Sequence, residues 1–128
     1  MASRAVRILV VDDEELLAES LAEILRLQGH SVESFTDPRL ALRRLESNSV
    51  DVLFTDLGMP ELTGWDLAAQ GRALRPNLPV VLVTGWGHQV DPHRVQACGI
   101  CRVVAKPFRL QDIQDAVAVA LEPVSQAA

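Results

Sequence analysis

The chain has 128 residues, 48% of them hydrophobic and 23% charged, with a formal net charge of -5, which is enough to bury one core. The negative balance and the lack of a basic run argue against direct nucleic-acid binding, which needs clustered Lys and Arg to neutralise phosphates. No run of about 18 or more apolar residues offers a membrane span, and the two cysteines, Cys98 and Cys101, are too few for a disulfide framework.

Met1-Ala2-Ser3-Arg4 leads straight into an apolar run rather than into a signal-peptide core, so the expected location is the cytoplasm. Short β-branched runs then alternate with stretches of helical period, the pattern of βαβ units and a parallel sheet. Strands are expected over Arg7 to Val11, Ser31 to Thr36, Val50 to Thr55, Pro79 to Thr84 and Arg102 to Ala105. In the first helix Leu16, Leu17, Leu21, Ile24 and Leu25 recur at helical spacing, and Gly29 is a natural stop. Asp37-Pro38 opens the second, with Asp37 as cap and Pro38 at the first helical position. The third spans roughly Trp65 to Leu74 and the fourth roughly Pro92 to Cys98. The fifth, Leu110 to Leu121, places Ile113, Val117, Ala120 and Leu121 on one stripe.

Three of these strands are continuously apolar, which suits strands covered by helices on both faces. The expected fold is an α/β three-layer sandwich of five βα units around a five-stranded parallel sheet. Right-handed crossovers favour the flavodoxin-like strand order 2-1-3-4-5. Residues 1–128 read as a single domain, with a core from about 7 to 121 and a flexible tail over 122–128.

Parallel strands share one carboxyl edge, where ligands bind in such sheets. Here Ile8-Leu9-Val10-Val11 runs into Asp12-Asp13, Val52-Leu53-Phe54-Thr55 into Asp56, and Val103-Val104-Ala105 into Lys106-Pro107. Two like charges about 4 Å apart repel by roughly 4 kcal/mol at an effective dielectric near 20, so three ionised carboxylates need cations. Lys106 supplies one. A hard divalent ion that prefers oxygen ligands, Mg²⁺, suits the remainder. The plainer alternative makes Asp12 or Asp13 a cap for the first helix and Asp56 a turn residue.

In Val10-Val11-Asp12-Asp13, Thr55-Asp56-Leu57-Gly58-Met59-Pro60, Thr63-Gly64, Val83-Thr84-Gly85 and Val104-Ala105-Lys106-Pro107-Phe108, the chain resembles the receiver domains of two-component response regulators. The resemblance covers residues 7 to about 121. It implies that Asp56 takes a phosphoryl group from the phosphohistidine of a histidine kinase or a histidine phosphotransfer protein. It also implies that Asp13, Asp56 and the carbonyl of Gly58 bind Mg²⁺ directly, and that Asp12 acts mainly through water. Thr84 and Lys106 would contact phosphoryl oxygens, with the Lys106-Pro107 bond cis. Such a protein is a phosphorylation-dependent switch of a protein-interaction surface toward an unknown downstream partner, not a turnover enzyme; from the charge balance any effect on DNA is expected to be indirect, and no membrane contact is expected.

Two positions depart from the family pattern. Where many relatives carry Tyr or Phe three residues before the lysine, this chain has Val103, so communication from the pocket is expected to run instead through the loop Gly85-Trp86-Gly87 or the neighbouring helix. Trp86 and Gly58 occupy positions that in relatives flank the phosphoryl group and influence its hydrolysis. Rival readings are the receiver portion of a hybrid histidine kinase, a phosphate-independent binding module of the same fold, and an aspartyl phosphohydrolase. The intact set Asp12, Asp13, Asp56, Thr84 and Lys106 argues against the binding module, and the hydrolase would want an acid where Gly58 stands.

Cys98-Gly99-Ile100-Cys101 has the spacing of a redox or metal motif, with His88 and His93 near in sequence. It lies at a helix end before a strand, however, where small buried residues are expected, and packing is the favoured role.

Overall fold

A computed structural model describes residues 5–47, 49–85 and 89–122. In chain order the elements are β1 (Arg7–Val11), α1 (Glu15–Leu27), β2 (Ser31–Phe35), α2 (Pro38–Ser47) and β3 (Val52–Asp56). After these come α3 (Gly64–Leu74), β4 (Val80–Thr84), α4 (Pro92–Ala97), β5 (Ile100–Ala105) and α5 (Leu110–Ala120). All neighbouring strands pair in parallel in the order β2-β1-β3-β4-β5, the flavodoxin-like order expected.

Successive strand residues point to opposite faces, and every apolar residue of the central strands is buried. Ile8, Val10, Val52, Phe54, Val81 and Val83 pack with α1 and α5 through Leu21, Leu25, Ile113 and Val117. Leu9, Val11, Leu53, Val80 and Leu82 pack the other way, against Ala41 and Leu45 of α2 and Trp65, Leu67 and Ala68 of α3. Burial on both faces is why these strands read as unbroken apolar runs.

Local chemistry ends the helices much as the sequence suggests. Gly29, at φ +97°, takes the left-handed conformation that closes α1. The Arg39 N–H donates to Asp37 Oδ1 (3.0 Å) at the start of α2. Thr63 and Asp66 exchange hydrogen bonds in a capping box at the start of α3. The plainer role for Asp12 or Asp13 at α1 is not met, because the cap position falls to Glu14, whose side chain makes no capping bond.

Four differences from expectation have physical causes. β3 starts at Val52 rather than Val50, because Asp51 is tied to the start of β1: its N–H donates to the Arg7 carbonyl (2.8 Å) and its carboxylate accepts the Arg7 N–H (2.9 Å). β3 also runs one residue further, so that Asp56 is its last residue. β5 begins two residues before Arg102, at Ile100, with a shift of register opposite Val80 and Val81. Finally, Cys101 is exposed and not buried, because it lies on this edge strand, whereas Cys98 is half-buried against the α2 and α3 side of the core; both are free thiols. The expected tail lies outside the described residues from 123 onward.

Candidate functional site

Register brings the chemistry together. Val11 pairs with Thr55, Asp56 with Val83, and Thr84 with Ala105, so the residues that follow β1 and β5 emerge level with the end of β3. A slip of one residue in any of these strands would move each side chain from one packed core into the other, where its neighbours differ in shape.

Asp12 is 5% exposed and Asp56 9%, while Asp13 is exposed. Oxygens of the three carboxylates lie within 4.8 Å of one another. Lys106 Nζ reaches between two of them, donating to Asp12 Oδ2 at 2.9 Å and to Asp56 Oδ1 at 3.1 Å. The Lys106 N–H donates to the Thr84 carbonyl (2.9 Å), which ties the end of β5 to that of β4, and the Lys106-Pro107 bond is cis. Asp12 is held from the other side, since its Oδ1 accepts the Glu14 N–H at 2.9 Å.

The charges explain the protonation behaviour. Burial pushes the Asp56 carboxyl above its ordinary range, and the nearby Asp12 charge adds to the rise; the hydrogen bond from Lys106 opposes both without overcoming them. For Lys106, burial pulls the ammonium down, but hydrogen bonds and charges from Asp12 and Asp56 outweigh it and the net shift is upward. The lysine therefore stays charged, and three carboxylates face one ammonium.

An all-oxygen donor set with excess negative charge fits a hard divalent cation better than a soft one. Asp13, Asp56 and Lys106 line an open cavity of about 490 Å³ with Glu14, Gly58, Thr84 and Gly85. Thr84 is fully buried. Every described residue predicted for the site thus meets at one edge, except that Val103 packs into the α2 and α3 side of the core and Pro107 lies just beyond Lys106. Trp86 and His88 lie outside the described residues, and His93 sits exposed on α4.

Two contacts were not foreseen. The backbone behind Asp56 is closely approached by Gly64, where an added Cβ would overlap the Asp56 carbonyl oxygen and lie 2.9 Å from Leu57 Cα. The sequence marked Gly64 only as part of the Thr63-Gly64 motif and as a poor helix former at the first position of α3; neither announces a backbone contact. Further out, Arg94 of α4 stacks over the Trp65 ring of α3, 4.8 Å from its centre; no local pattern announces a pair so far apart in sequence.

A sequence model of the response regulator receiver domain matches residues 8–118. The two-component response regulator PhoP of Pseudomonas aeruginosa is 33% identical over 109 residues, which are 85% of this chain and 48% of that protein. The response regulator TodT of Pseudomonas putida is 29% identical over 126 residues, 98% of this chain and 56% of that protein. The chain thus spans about half the length of the curated relatives it matches. Among solved structures, a receiver domain protein from Clostridium thermocellum superposes with a TM-score of 0.83 at 30% identity, over 91% of this chain and 94% of that one. The response regulator TrrA of Thermotoga maritima, in complex with Mg(2+)-BeF, gives 0.81 at 28% identity, over 91% and 99%.

Proposed function

Since the chain belongs to the response regulator receiver domain family of two-component systems, we propose that it is a phosphoacceptor switch in which Asp56 takes a phosphoryl group from a phosphohistidine. The observation that carries this reading is the ammonium of Lys106 shared between Asp12 and Asp56 at 2.9 and 3.1 Å. It marks a pocket built to gather negative charge beside one buried carboxylate.

In the transfer, an Asp56 carboxylate oxygen attacks phosphorus. The bond from phosphorus to the donor's imidazole nitrogen breaks, and that nitrogen keeps the electron pair. A carboxylate is a competent nucleophile for such a step. Charge spreads over the equatorial oxygens in the transition state and must be met by positive groups. Lys106 turns to one of these oxygens as a point charge, and the Thr84 hydroxyl donates to another.

Asp13, Asp56 and the Gly58 carbonyl would hold Mg²⁺, with Asp12 reaching it through water. Bound there, the ion supplies positive charge to the phosphoryl oxygens. TrrA, similar in fold and sequence, is known in complex with Mg(2+)-BeF, which supports the same chemistry here.

The acyl phosphate then biases an existing equilibrium between surface conformations. Gly58, two residues beyond the nucleophile, supplies no acid to speed hydrolysis, which favours a switch over a turnover enzyme. The donor would be a histidine kinase or a histidine phosphotransfer protein in the cytoplasm.

The test is incubation with Mg²⁺ and acetyl phosphate. One base-labile phosphoryl group per chain is expected, absent in Asp56→Asn. Incorporation that survives the substitution, with no other acid taking its place, removes Asp56 from the role.

A further inference from the structure

Among the features the pocket chemistry leaves unexplained, the close approach of α3 to the end of β3 is the most demanding geometrically. At Gly64 an added Cβ would overlap the Asp56 carbonyl oxygen and lie 2.9 Å from Leu57 Cα and 3.1 Å from the Asp56 carbonyl carbon. All three are backbone atoms, so no side-chain rotation can relieve the contact, unlike the crowding at Gly71, where the near atoms are the methyl ends of Leu45, Leu78 and Leu53.

The approach is held from several directions. The Gly64 N–H donates to the Leu57 carbonyl at 2.9 Å, and that oxygen also accepts the Met59 N–H at 3.2 Å, so one carbonyl ties together both ends of the turn containing Gly58. On the strand side, the fully buried Thr55 hydroxyl donates to the Asp56 carbonyl at 2.9 Å. The Thr63 and Asp66 capping box fixes the first turn of α3, and buried Trp65 and Leu67 anchor that turn in the core. The peptide between Asp56 and Leu57 is therefore clamped, with the Thr55 hydroxyl on one side and the bare Cα of Gly64 on the other.

We infer that Gly64 and Thr55 are positioning residues for Asp56, setting the peptide plane that aims its carboxylate at Lys106. This rests on the reading of Asp56 as phosphoacceptor. The carboxylate is carried on a Cα whose carbonyl is the clamped group, so displacement of that peptide swings the Cα to Cβ bond. Misplacing a reacting group by about 1 Å can cost about a hundredfold in rate. The Gly58 carbonyl, in the turn tied by the Leu57 oxygen, would shift with it.

The experiment compares the parent with Gly64→Ala, Thr55→Val and Ala68→Gly. The last destabilises the same helix, through a buried methyl and lower helix propensity, without touching the Asp56 peptide. Phosphoryl incorporation is timed at saturating acetyl phosphate and Mg²⁺, melting temperatures are recorded, and Gly64→Ala is crystallised.

Gly64→Ala is expected to slow incorporation by about tenfold or more and Thr55→Val severalfold, while Ala68→Gly melts lower but stays within about twofold of the parent rate. In the crystal structure of Gly64→Ala, Asp56 should lie beyond hydrogen-bond reach of Lys106, with the Asp12 contact retained.

The inference is overturned if Gly64→Ala keeps the parent rate, if Ala68→Gly slows as much, or if the Asp56 to Lys106 contact is unchanged in the crystal. Should Gly64→Ala fail to fold, Thr55→Val decides by its rate, and a rate equal to the parent's dismantles the clamp. If the parent itself accepts no phosphoryl group, the phosphoacceptor reading fails, and the crystal structure alone still decides whether Gly64 aims Asp56.

Discussion

Asp56 is held in a place where its charge is unwelcome, and this has a consequence for stability. Its folded-state pKa is raised above the ordinary 3.8, chiefly by burial, so the folded chain binds that proton more tightly than the unfolded chain does. Stability from this group therefore falls as pH rises from 3.8 to the folded value, and above both values the ionised carboxylate is a standing cost. In buffer free of divalent ions, Asp56→Asn should melt higher than the parent at neutral pH, and the gain should disappear below pH 3.8. Calorimetry across that range checks it; an Asn variant that melts no higher at neutral pH contradicts the electrostatic account.

His30 works in the opposite sense. It is buried, its Nδ1 accepts the Val6 N–H at 3.2 Å, and burial lowers its pKa below the ordinary 6.5. A lowered histidine contributes stability that is present above 6.5 and lost as pH falls toward the folded value. His30→Asn, neutral throughout, should show a shallower decline of melting temperature just below pH 6.5 than the parent. At this scale Asp12, Asp56 and Lys106 were legible in the sequence because a charge at the end of a buried apolar run must be paired or put to chemical use. Gly64 was legible only as half of the Thr63-Gly64 motif, because its contact is made backbone to backbone and exists only once α3 has docked.

Helices and strands were legible to the extent that local chemistry dictates them. β1 was placed to the residue, because both of its faces are buried. The start of β5 was missed: Cys101, Arg102 and Ala105 are exposed, so an edge strand with a register shift offers no unbroken apolar run to read. α1 was legible from its stripe and from Gly29. Nothing lies within 4 Å of a Cβ built at Gly29, so the demand there is purely conformational, at φ +97°. Gly29→Ala should cost about 1–2 kcal/mol, the penalty of a left-handed L-residue, and Gly29→Asn clearly less. Thr63→Ala should cost about 1 kcal/mol through its cap. Urea unfolding measures all three, and equal costs for Ala and Asn at position 29 would count against the conformational argument.

Across the whole molecule, the sheet divides two cores that meet only through it, and the pocket lies on its rim. A cation bound there by the folded state alone stabilises the entire fold by RT ln(1 + [L]/Kd), about 1.4 kcal/mol at a tenfold excess over Kd. Millimolar Mg²⁺ should therefore raise the melting temperature of the parent but hardly that of Asp13→Ala, whereas Asp12→Ala should retain most of the effect. Identical melting curves for the parent with and without Mg²⁺ would contradict a metal-binding pocket.

The second core is thinner on one flank. α4 has six residues, none of them buried. Its attachments are the half-buried Val95 and Cys98, the Asp91 cap, and Arg94 resting on Trp65. Local opening free energy follows the apolar contact an element would lose, so α4 should detach at a small fraction of the global unfolding cost. In hydrogen exchange, the α4 amides should be labelled long before those of α1 or α5, without loosening β4. That corner then behaves as a hinged panel on a rigid frame. A binding partner can reshape it while drawing on very little of the free energy that keeps the rest of the molecule folded.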